Sequence, residues 1–159
     1  MDTKVLFVCL GNICRSPTAQ GVFQKLIDEE NMRQRFYLDS AGTHAYHIGE
    51  PPDKRSQDSA LRRGVDLSKL RARRVVVDDF HRFEYIVAMD EQNFQSLMEM
   101  CPSEHQRKIS LFMEYAPDLK QTSVPDPYYG GLSGFEKVLD LVEIAARGLL
   151  VRIKEDKGL

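Results

Sequence analysis

The chain has 159 residues, of which 42% are hydrophobic and 29% are charged, a composition typical of a globular protein rather than a disordered one. This length fits a single domain, residues 1–159, that buries roughly 70% of its unfolded surface. The net charge of −2 predicts no general attraction to nucleic acid or to anionic membranes. No run approaches the roughly 18 apolar residues that a membrane span needs.

The three cysteines, an odd number, argue against a framework of structural disulfides. The apolar run at residues 5–10 is too short for the core of a signal peptide, and no small-residue cleavage site follows it. We therefore expect a cytoplasmic protein whose thiols are reduced. The question that these cysteines raise is their reactivity.

Short apolar runs predict strands at residues 4–9, 37–41, 85–89 and 108–112. Helical periodicity lies between them at residues 19–30, 56–63 and 91–100. A last helix is predicted from a capping box, Ser133 with Glu136, and from apolar residues that repeat at intervals of three or four from Phe135 to Ile153. This alternation predicts an α/β fold, a parallel sheet with helices on both faces.

The loop after the first strand carries the unusual residues, and ligands of such sheets bind at the carboxyl ends of strands. Pro17 follows the loop and suits the first position of a helix, so the loop leads into a helix N-terminus that favours an anion. The loop consists of Cys9, Leu10, Gly11, Asn12, Ile13, Cys14, Arg15 and Ser16.

Within this loop, Gly11 and Asn12 are residue types that tolerate a positive φ, which turns backbone N–H groups inward. Arg15 adds a planar cation that matches phosphate oxygens. The same groups stabilise a thiolate on Cys9, since helix N-termini and cations lower a cysteine pKa to as little as about 3.5. Full ionisation raises the thiolate fraction only about 30-fold, so most of a catalytic effect must come from positioning and charge stabilisation.

Two other interpretations of the loop are weaker. The spacing of Cys9 and Cys14 could supply half of a zinc site, but neither Cys101 nor any of the four histidines forms a matching pair at the usual spacing. No Gly-Lys-Ser or Gly-Lys-Thr follows the loop, which excludes a nucleotide-binding Walker loop. We predict neither a metal nor a cofactor.

The motif VCLGNICRSPTA, which contains Cys-x5-Arg-Ser, resembles the low-molecular-weight protein tyrosine phosphatase family. The resemblance continues along the whole chain in DSAGT at 39–43, AMDEQN at 88–93 and DPYYGG at 126–131. It implies a four-stranded parallel sheet flanked by helices, with the phosphate-binding loop after the first strand. It also implies a protein-tyrosine-phosphatase that works through a phosphocysteine intermediate.

By this resemblance Cys9 is the nucleophile, Arg15 binds phosphate, and Asp126, between two prolines, is the general acid and later the general base. Ser40 holds Asn12 in its strained conformation, and Ser16 hydrogen-bonds the thiolate or caps the following helix. The expected substrate-binding residues are Leu10, Gly11, Asn12, Ile13, Cys14, Ser16, Tyr46, Tyr128 and Tyr129. The resemblance also implies a variable loop at residues 43–50 that faces the substrate, with Tyr46 and His47 at its tip.

The expected partners are phosphotyrosine-containing proteins and oxyanions, with no nucleic acid and no membrane, and the expected state is a monomer. In the family, the tyrosines corresponding to Tyr128 and Tyr129 also accept regulatory phosphate. A low-pKa Cys9 predicts redox regulation through a disulfide with Cys14.

Four alternatives remain at this stage. A thiol-dependent arsenate reductase of the same fold needs two further cysteines, whereas only Cys101 lies outside the loop. Members of the phosphoarginine phosphatase branch typically carry threonine and phenylalanine where this chain has Ile13 and Tyr128. A phosphate-responsive binding module leaves the combination of Cys9, Arg15 and Asp126 unexplained. A purely redox protein would rest on Cys9 and Cys14.

Overall fold

Four parallel strands form one sheet in the order β2–β1–β3–β4, in a computed structural model that describes residues 2–128 and 131–159. The strands are β1 (Thr3–Cys9), β2 (Phe36–Gly42), β3 (Tyr85–Ala88) and β4 (Ile109–Leu111). The α-helices are α1 (Arg15–Glu29), α2 (Lys54–Leu61), α3 (Asp78–Arg82), α4 (Glu91–Met100) and α5 (Leu132–Lys157). Short 3-10 helices are at Arg33–Arg35, Ser103–Lys108, Phe112–Tyr115 and Pro117–Leu119. The predicted fold class is confirmed.

The central strand β1 pairs with β2 on one side and with β3 on the other, and Val5 is in register with both Leu38 and Tyr85. Nearly every residue of β1 is buried, because helices cover both faces of the sheet. The chain order reverses at β1, since β2 lies on one side and β3 on the other. A crevice therefore opens beyond the carboxyl end of β1, where Cys9 lies.

Two apolar layers flank the sheet. On one face, Phe7 packs with residues of α1 and α5 such as Phe23 and Val142. On the other face, Leu6 packs with Phe80 of α3 and with residues of α4 and β3. Burial of each such side chain contributes about 1.5–3 kcal/mol. None of the helices within 2–128 and 131–159 is long and apolar enough to cross a membrane.

Several predicted boundaries were wrong by a few residues. The helix α1 begins at Arg15 rather than at residue 19, and α2 begins at Lys54 because the Asp53 side chain accepts a hydrogen bond from the Arg55 N–H and caps it. The strand predicted at 108–112 is only Ile109–Leu111, since 3-10 helices adjoin it at both ends. The short helix α3 was not predicted.

The predicted capping box of α5 was wrong. Gly131, with an extended backbone, is the residue before the helix, and no side chain among residues 2–128 and 131–159 caps it. Ser133 lies inside the first turn. Glu136 instead forms ion pairs with Arg62 and Arg63. Those two arginines follow α2, so a long-range contact replaces the local capping interaction.

Candidate active site

The loop from Cys9 to Ser16 joins β1 to α1. Because Arg15 and Ser16 are already helical, Pro17 is the third helical residue rather than the first, which corrects the prediction. A proline is tolerated there, since the first N–H groups of a helix have no intrahelical acceptor. The loop therefore ends at a helix N-terminus, where N–H groups and the helix dipole favour an anion.

The backbone of the loop is strained at Asn12, whose φ is +59°. Gly11 does not have a positive φ, so that part of the prediction was wrong. What Gly11 provides is space, because a Cβ atom there would lie 3.1 Å from Cδ2 of His47. The glycine lets the segment at 43–50 approach the loop.

The Asn12 side chain is fully hydrogen-bonded. Its Nδ2 donates to Ser16 Oγ at 2.7 Å and to Ser40 Oγ at 3.0 Å. Its Oδ1 accepts from the Arg73 N–H at 3.0 Å. The guanidinium of Arg73 binds the buried carboxylate of Asp79, so the support of the loop extends to α3. These contacts offset the cost of the left-handed conformation, about 1–3 kcal/mol.

The sulfur of Cys9 lies inside this arrangement, with the residue only 3% exposed. The Asn12 N–H donates to Sγ at 3.2 Å, and Ser16 Oγ is 3.0 Å away. Because Ser16 Oγ already accepts a hydrogen bond from Asn12, its own hydrogen is left to donate to sulfur. Both groups thus favour negative charge on Cys9.

Arg15 is buried and fixed by three partners. Its NH1 donates to Asp90 Oδ2 at 2.7 Å and to the Val124 carbonyl at 3.0 Å, and its NH2 is 3.6 Å from Asp126 Oδ2. Burial alone would lower the pKa of Arg15, but the charges of Cys9, Asp90 and Asp126 raise it above its ordinary value. The guanidinium is a permanent cation at the base of the crevice.

Asp126 faces Arg15 from the loop before α5. Its Oδ1 accepts from the Tyr128 N–H at 3.0 Å, and its side chain is about 38% exposed. On its N-terminal side, the Val124 N–H donates to the Met89 carbonyl at 2.7 Å. The carboxyl group therefore borders the crevice and is open to solvent.

A cavity of about 390 Å³ lies between these groups and is lined by the predicted catalytic residues Cys9, Arg15 and Asp126. Its further lining residues are Leu10, Gly11, Ile13, Cys14, Tyr46, His47 and Tyr128. The side chains of Asn12 and Ser16 are buried beneath the loop and hydrogen-bond each other, and the predicted contact of these two residues with substrate stays a prediction. Tyr129 lies outside the described residues.

One residue of the site was missed: Asp90, which holds Arg15. His47, expected at the tip of the substrate-facing loop but given no role there, lines the cavity, and its Nδ1 is 3.0 Å from Glu50 Oε2. The signal for Asp90 was its place after β3, at the same sheet edge as Cys9.

Cys14 differs from Cys9 although both lie in the loop. Burial raises the pKa of the Cys14 thiol to about 12, and the nearby charges of Asp53, Cys9 and Asp126 act in the same direction. Cys14 packs with Ile13, Ala72 and Phe135. It is therefore a neutral thiol at ordinary pH. Within the part of the chain that the structure describes, no three His, Cys, Asp or Glu side chains are grouped so as to hold a metal ion.

The sequence profile of the family described as "Low molecular weight phosphotyrosine protein phosphatase" matches residues 4–159. The chain belongs to this family. The Homo sapiens low molecular weight phosphotyrosine protein phosphatase is 45% identical over 141 residues, which cover 85% of each chain. A crystal structure of a protein tyrosine phosphatase from Entamoeba histolytica, with Hepes in its active site, is 42% identical, with a TM-score of 0.94 and coverage of 98% of this chain and 99% of that one.

A crystal structure of a Drosophila arginine phosphatase has the same fold, with 31% identity, a TM-score of 0.90 and coverage of 98% of this chain and 100% of that one. Low molecular weight phosphatases are hydrolases, and so is this enzyme.

Proposed function

We propose that this chain hydrolyses phosphotyrosine in proteins through a phosphocysteine intermediate on Cys9. The observation that carries the proposal is the arrangement around one cavity: a sulfur that accepts two hydrogen bonds, a buried guanidinium, and a carboxyl group that faces the guanidinium and lines the same cavity. This is the set of groups that phosphoryl transfer to and from a thiolate requires.

In the first step, Cys9 Sγ attacks phosphorus, and the bond between phosphorus and the phenolic oxygen breaks. Arg15 and the N–H groups at the start of α1 bind the equatorial oxygens and stabilise their charge in the transition state. Asp126 donates a proton to the departing phenolate oxygen. In the second step, the Asp126 carboxylate takes a proton from water, which attacks phosphorus and releases phosphate and the Cys9 thiolate.

The cavity walls support an aromatic substrate. Tyr46 and Tyr128 lie at its rim and Ile13 lines it, so a flat ring can extend from Cys9 to the surface between apolar groups. The short stem of phosphoserine would not carry phosphorus to the sulfur of Cys9, a residue that is only 3% exposed.

The extent, location and regulation of the enzyme belong to the same proposal. We propose that residues 1–159 form one phosphatase domain and that the enzyme is a monomer. We propose that it acts in the cytoplasm without nucleic acid or membrane partners, and that its activity depends on the redox state of Cys9.

The positions of the cysteines count against the arsenate reductase alternative. Cys9 packs in the cluster with Phe7 and Phe23, whereas Cys101 packs in the cluster with Leu6 and Leu97 on the other face of the sheet. Cys101 is not placed to relay electrons to Cys9.

A matched substrate panel tests the proposal. One peptide sequence is prepared with phosphotyrosine, phosphoserine and phosphoarginine, and arsenate reduction with a thiol donor is measured in parallel. We expect kcat/KM to be far higher for phosphotyrosine than for the other two, and no arsenate reduction. A preference for phosphoarginine, the activity named for the Drosophila neighbour, would overturn the substrate while leaving the Cys9 mechanism in place.

A further inference from the structure

The side chains of Asp53 and Arg55 form a bidentate ion pair at the N-terminus of α2, called the fork below. Arg55 Nε donates to Asp53 Oδ1 at 3.0 Å, and Arg55 NH2 donates to Asp53 Oδ2 at 2.9 Å. This two-point geometry fixes the plane of the guanidinium, which a lysine ammonium would not do. The pair lies between the Cys9–Ser16 loop and the loop that carries Asp126.

On one side the fork is tied to the phosphate-binding loop. The Asp53 N–H donates to the Ile13 carbonyl at 2.8 Å. Asp53 Oδ1 also accepts the Arg55 N–H at 2.8 Å, which fixes the Asp53 carboxylate at the start of α2. Asp53 therefore keeps a constant position relative to Cys9.

On the other side the fork holds the acid loop. Arg55 NH2 donates to the Tyr128 carbonyl at 3.1 Å. The guanidinium carbon lies 4.7 Å from the centre of the Phe135 ring and 5.5 Å from that of the Tyr128 ring, within the range of cation–π attraction. Since the Tyr128 N–H donates to Asp126 Oδ1, Arg55 acts on the residue that orients the carboxyl group.

The two ends of the acid loop are thus held by different arginines. Before Asp126, the Val124 carbonyl accepts from Arg15 and the Val124 N–H donates to Met89. After Asp126, the Tyr128 carbonyl accepts from Arg55. Loss of Arg55 would remove one of the contacts that hold the C-terminal end of the loop and would leave the N-terminal end attached.

We propose that Arg55, oriented by Asp53, is a positioning residue that sets the Asp126 carboxyl group at proton-transfer distance from the leaving-group oxygen. This rests on the proposed function of Asp126 as general acid. The competing role for Arg55 is purely structural, in which case its loss lowers stability and slows the reaction of every substrate by the same factor.

The test is Arg55→Met, measured as kcat/KM for phosphotyrosine peptide, phenyl phosphate and dinitrophenyl phosphate. Because kcat/KM reports the first chemical step, it reveals the need for a proton donor even when hydrolysis of the intermediate limits kcat. We expect a loss of about 10- to 100-fold for the two poor leaving groups, as a displaced catalytic group gives. For dinitrophenyl phosphate, whose leaving group departs without a proton, we expect less than about threefold.

The matched control is Arg62→Met, the same substitution on the same segment, where Arg62 binds Ser59 and Glu136 away from the cavity. It should leave the dependence on the leaving group unchanged. The inhibition constant of inorganic phosphate should be unchanged in Arg55→Met, because the Cys9–Ser16 loop is intact. Asp53→Asn, which retains the helix cap but weakens the fork, should show a smaller loss with the same leaving-group dependence.

A double-mutant cycle completes the test. In an Asp126→Asn background, Arg55→Met should lower kcat/KM almost no further, because the carboxyl group that Arg55 positions is already absent. Equal losses for all three substrates, or additive losses in the double variant, would overturn the positioning role while leaving the phosphatase assignment intact. A wild-type enzyme that does not hydrolyse phosphotyrosine would instead overturn the proposed function itself, and the inference with it.

Discussion

Arg15 NH2 lies 3.6 Å from Asp126 Oδ2, so the side chain proposed to bind phosphate also contacts the carboxyl group proposed to donate the proton. The same guanidinium binds Asp90 after β3 and the carbonyl of Val124. This one buried cation therefore fixes the position of the Asp126 carboxyl group relative to the proposed phosphate-binding site. Such preorganisation is what makes electrostatic stabilisation effective.

Asp126→Asn should lower kcat/KM for phosphotyrosine by about 10²–10⁴, the usual contribution of general acid catalysis. The amide retains the shape of the carboxyl group but has no acidic proton to donate. The loss should shrink as the leaving group becomes more acidic, which a series of substituted phenyl phosphates measures. An equal loss for good and poor leaving groups would count against Asp126 as the proton donor.

Ile13→Thr should shift the ratio of kcat/KM values from phosphotyrosine toward phosphoarginine. Ile13 lines the cavity and offers no hydroxyl to bind a nitrogen-linked phosphate or to orient a water molecule. It also packs with Ala72 and Phe135, and its branched side chain narrows the pocket in favour of a flat aromatic substrate. Matched phosphopeptides measure the ratio. If threonine lowers only the free energy of unfolding and leaves the ratio unchanged, Ile13 serves packing alone.

Mild peroxide should inactivate the enzyme reversibly and give a Cys9–Cys14 disulfide. Peroxide oxidises the Cys9 thiolate to a sulfenic acid, and Cys14 condenses with it, releasing water. Because burial raises the pKa of Cys14 to about 12, the condensation should be slow at neutral pH and should accelerate as pH rises.

Peptide mapping after oxidation locates the disulfide, and Cys14→Ala should show less reversible inactivation. Cys101→Ala is the control, because that cysteine packs in the other apolar cluster. A disulfide that joins Cys9 only to Cys101 would contradict the prediction.

Glu136→Gln should make the free energy of unfolding depend less on pH in the acid range. Hydrogen bonds from Ser59 and then from Arg63 and Arg62 lower the pKa of Glu136 to about 2, below its unfolded value of about 4.5. A lowered pKa means that the stabilisation is present above about pH 4.5 and is lost as pH falls toward 2. The side chain is 38% exposed, so the effect should be no more than about 1 kcal/mol.

Urea unfolding at several pH values between about 5 and 2 measures this change. The control is Glu155→Gln, an exposed position further along α5. Identical pH profiles for wild type and Glu136→Gln would show that the link between α2 and α5 does not depend on this charge.

The sheet and the phosphate-binding loop could be predicted because their signals are local. The apolar runs predicted four strands, and the loop residues are contiguous from Cys9 to Ser16. The capping box at Ser133 failed because Glu136 found stronger partners in two arginines more than 70 residues away. A capping-box pattern covers only four neighbouring residues, so it carries no information on partners that are distant in the sequence.

The partners of Arg15 could not be read from the sequence for the same reason. Asp90 and Val124 lie 75 and 109 residues away, and only the parallel order of the strands brings them to Cys9. His47 was expected on the substrate-facing loop, but its close approach to Gly11 could not be predicted, because the two residues lie in loops that are separate in the sequence. The prediction of a positive φ at Gly11 was wrong because glycine can serve two purposes. Here its missing side chain leaves space for His47, and its backbone makes no left-handed turn.

The most direct test of the account is the covalent intermediate. Wild-type enzyme is mixed with a phosphotyrosine peptide and quenched within the first turnover, and Cys9→Ser, which should bind vanadate as wild type does, is treated in parallel. We expect phosphate on Cys9 in the wild type, and in Cys9→Ser less than about one per cent of wild-type turnover, because a neutral hydroxyl is a poor replacement for a thiolate. Phosphate on another residue, or substantial turnover by Cys9→Ser, would contradict the assignment of Cys9 as the nucleophile.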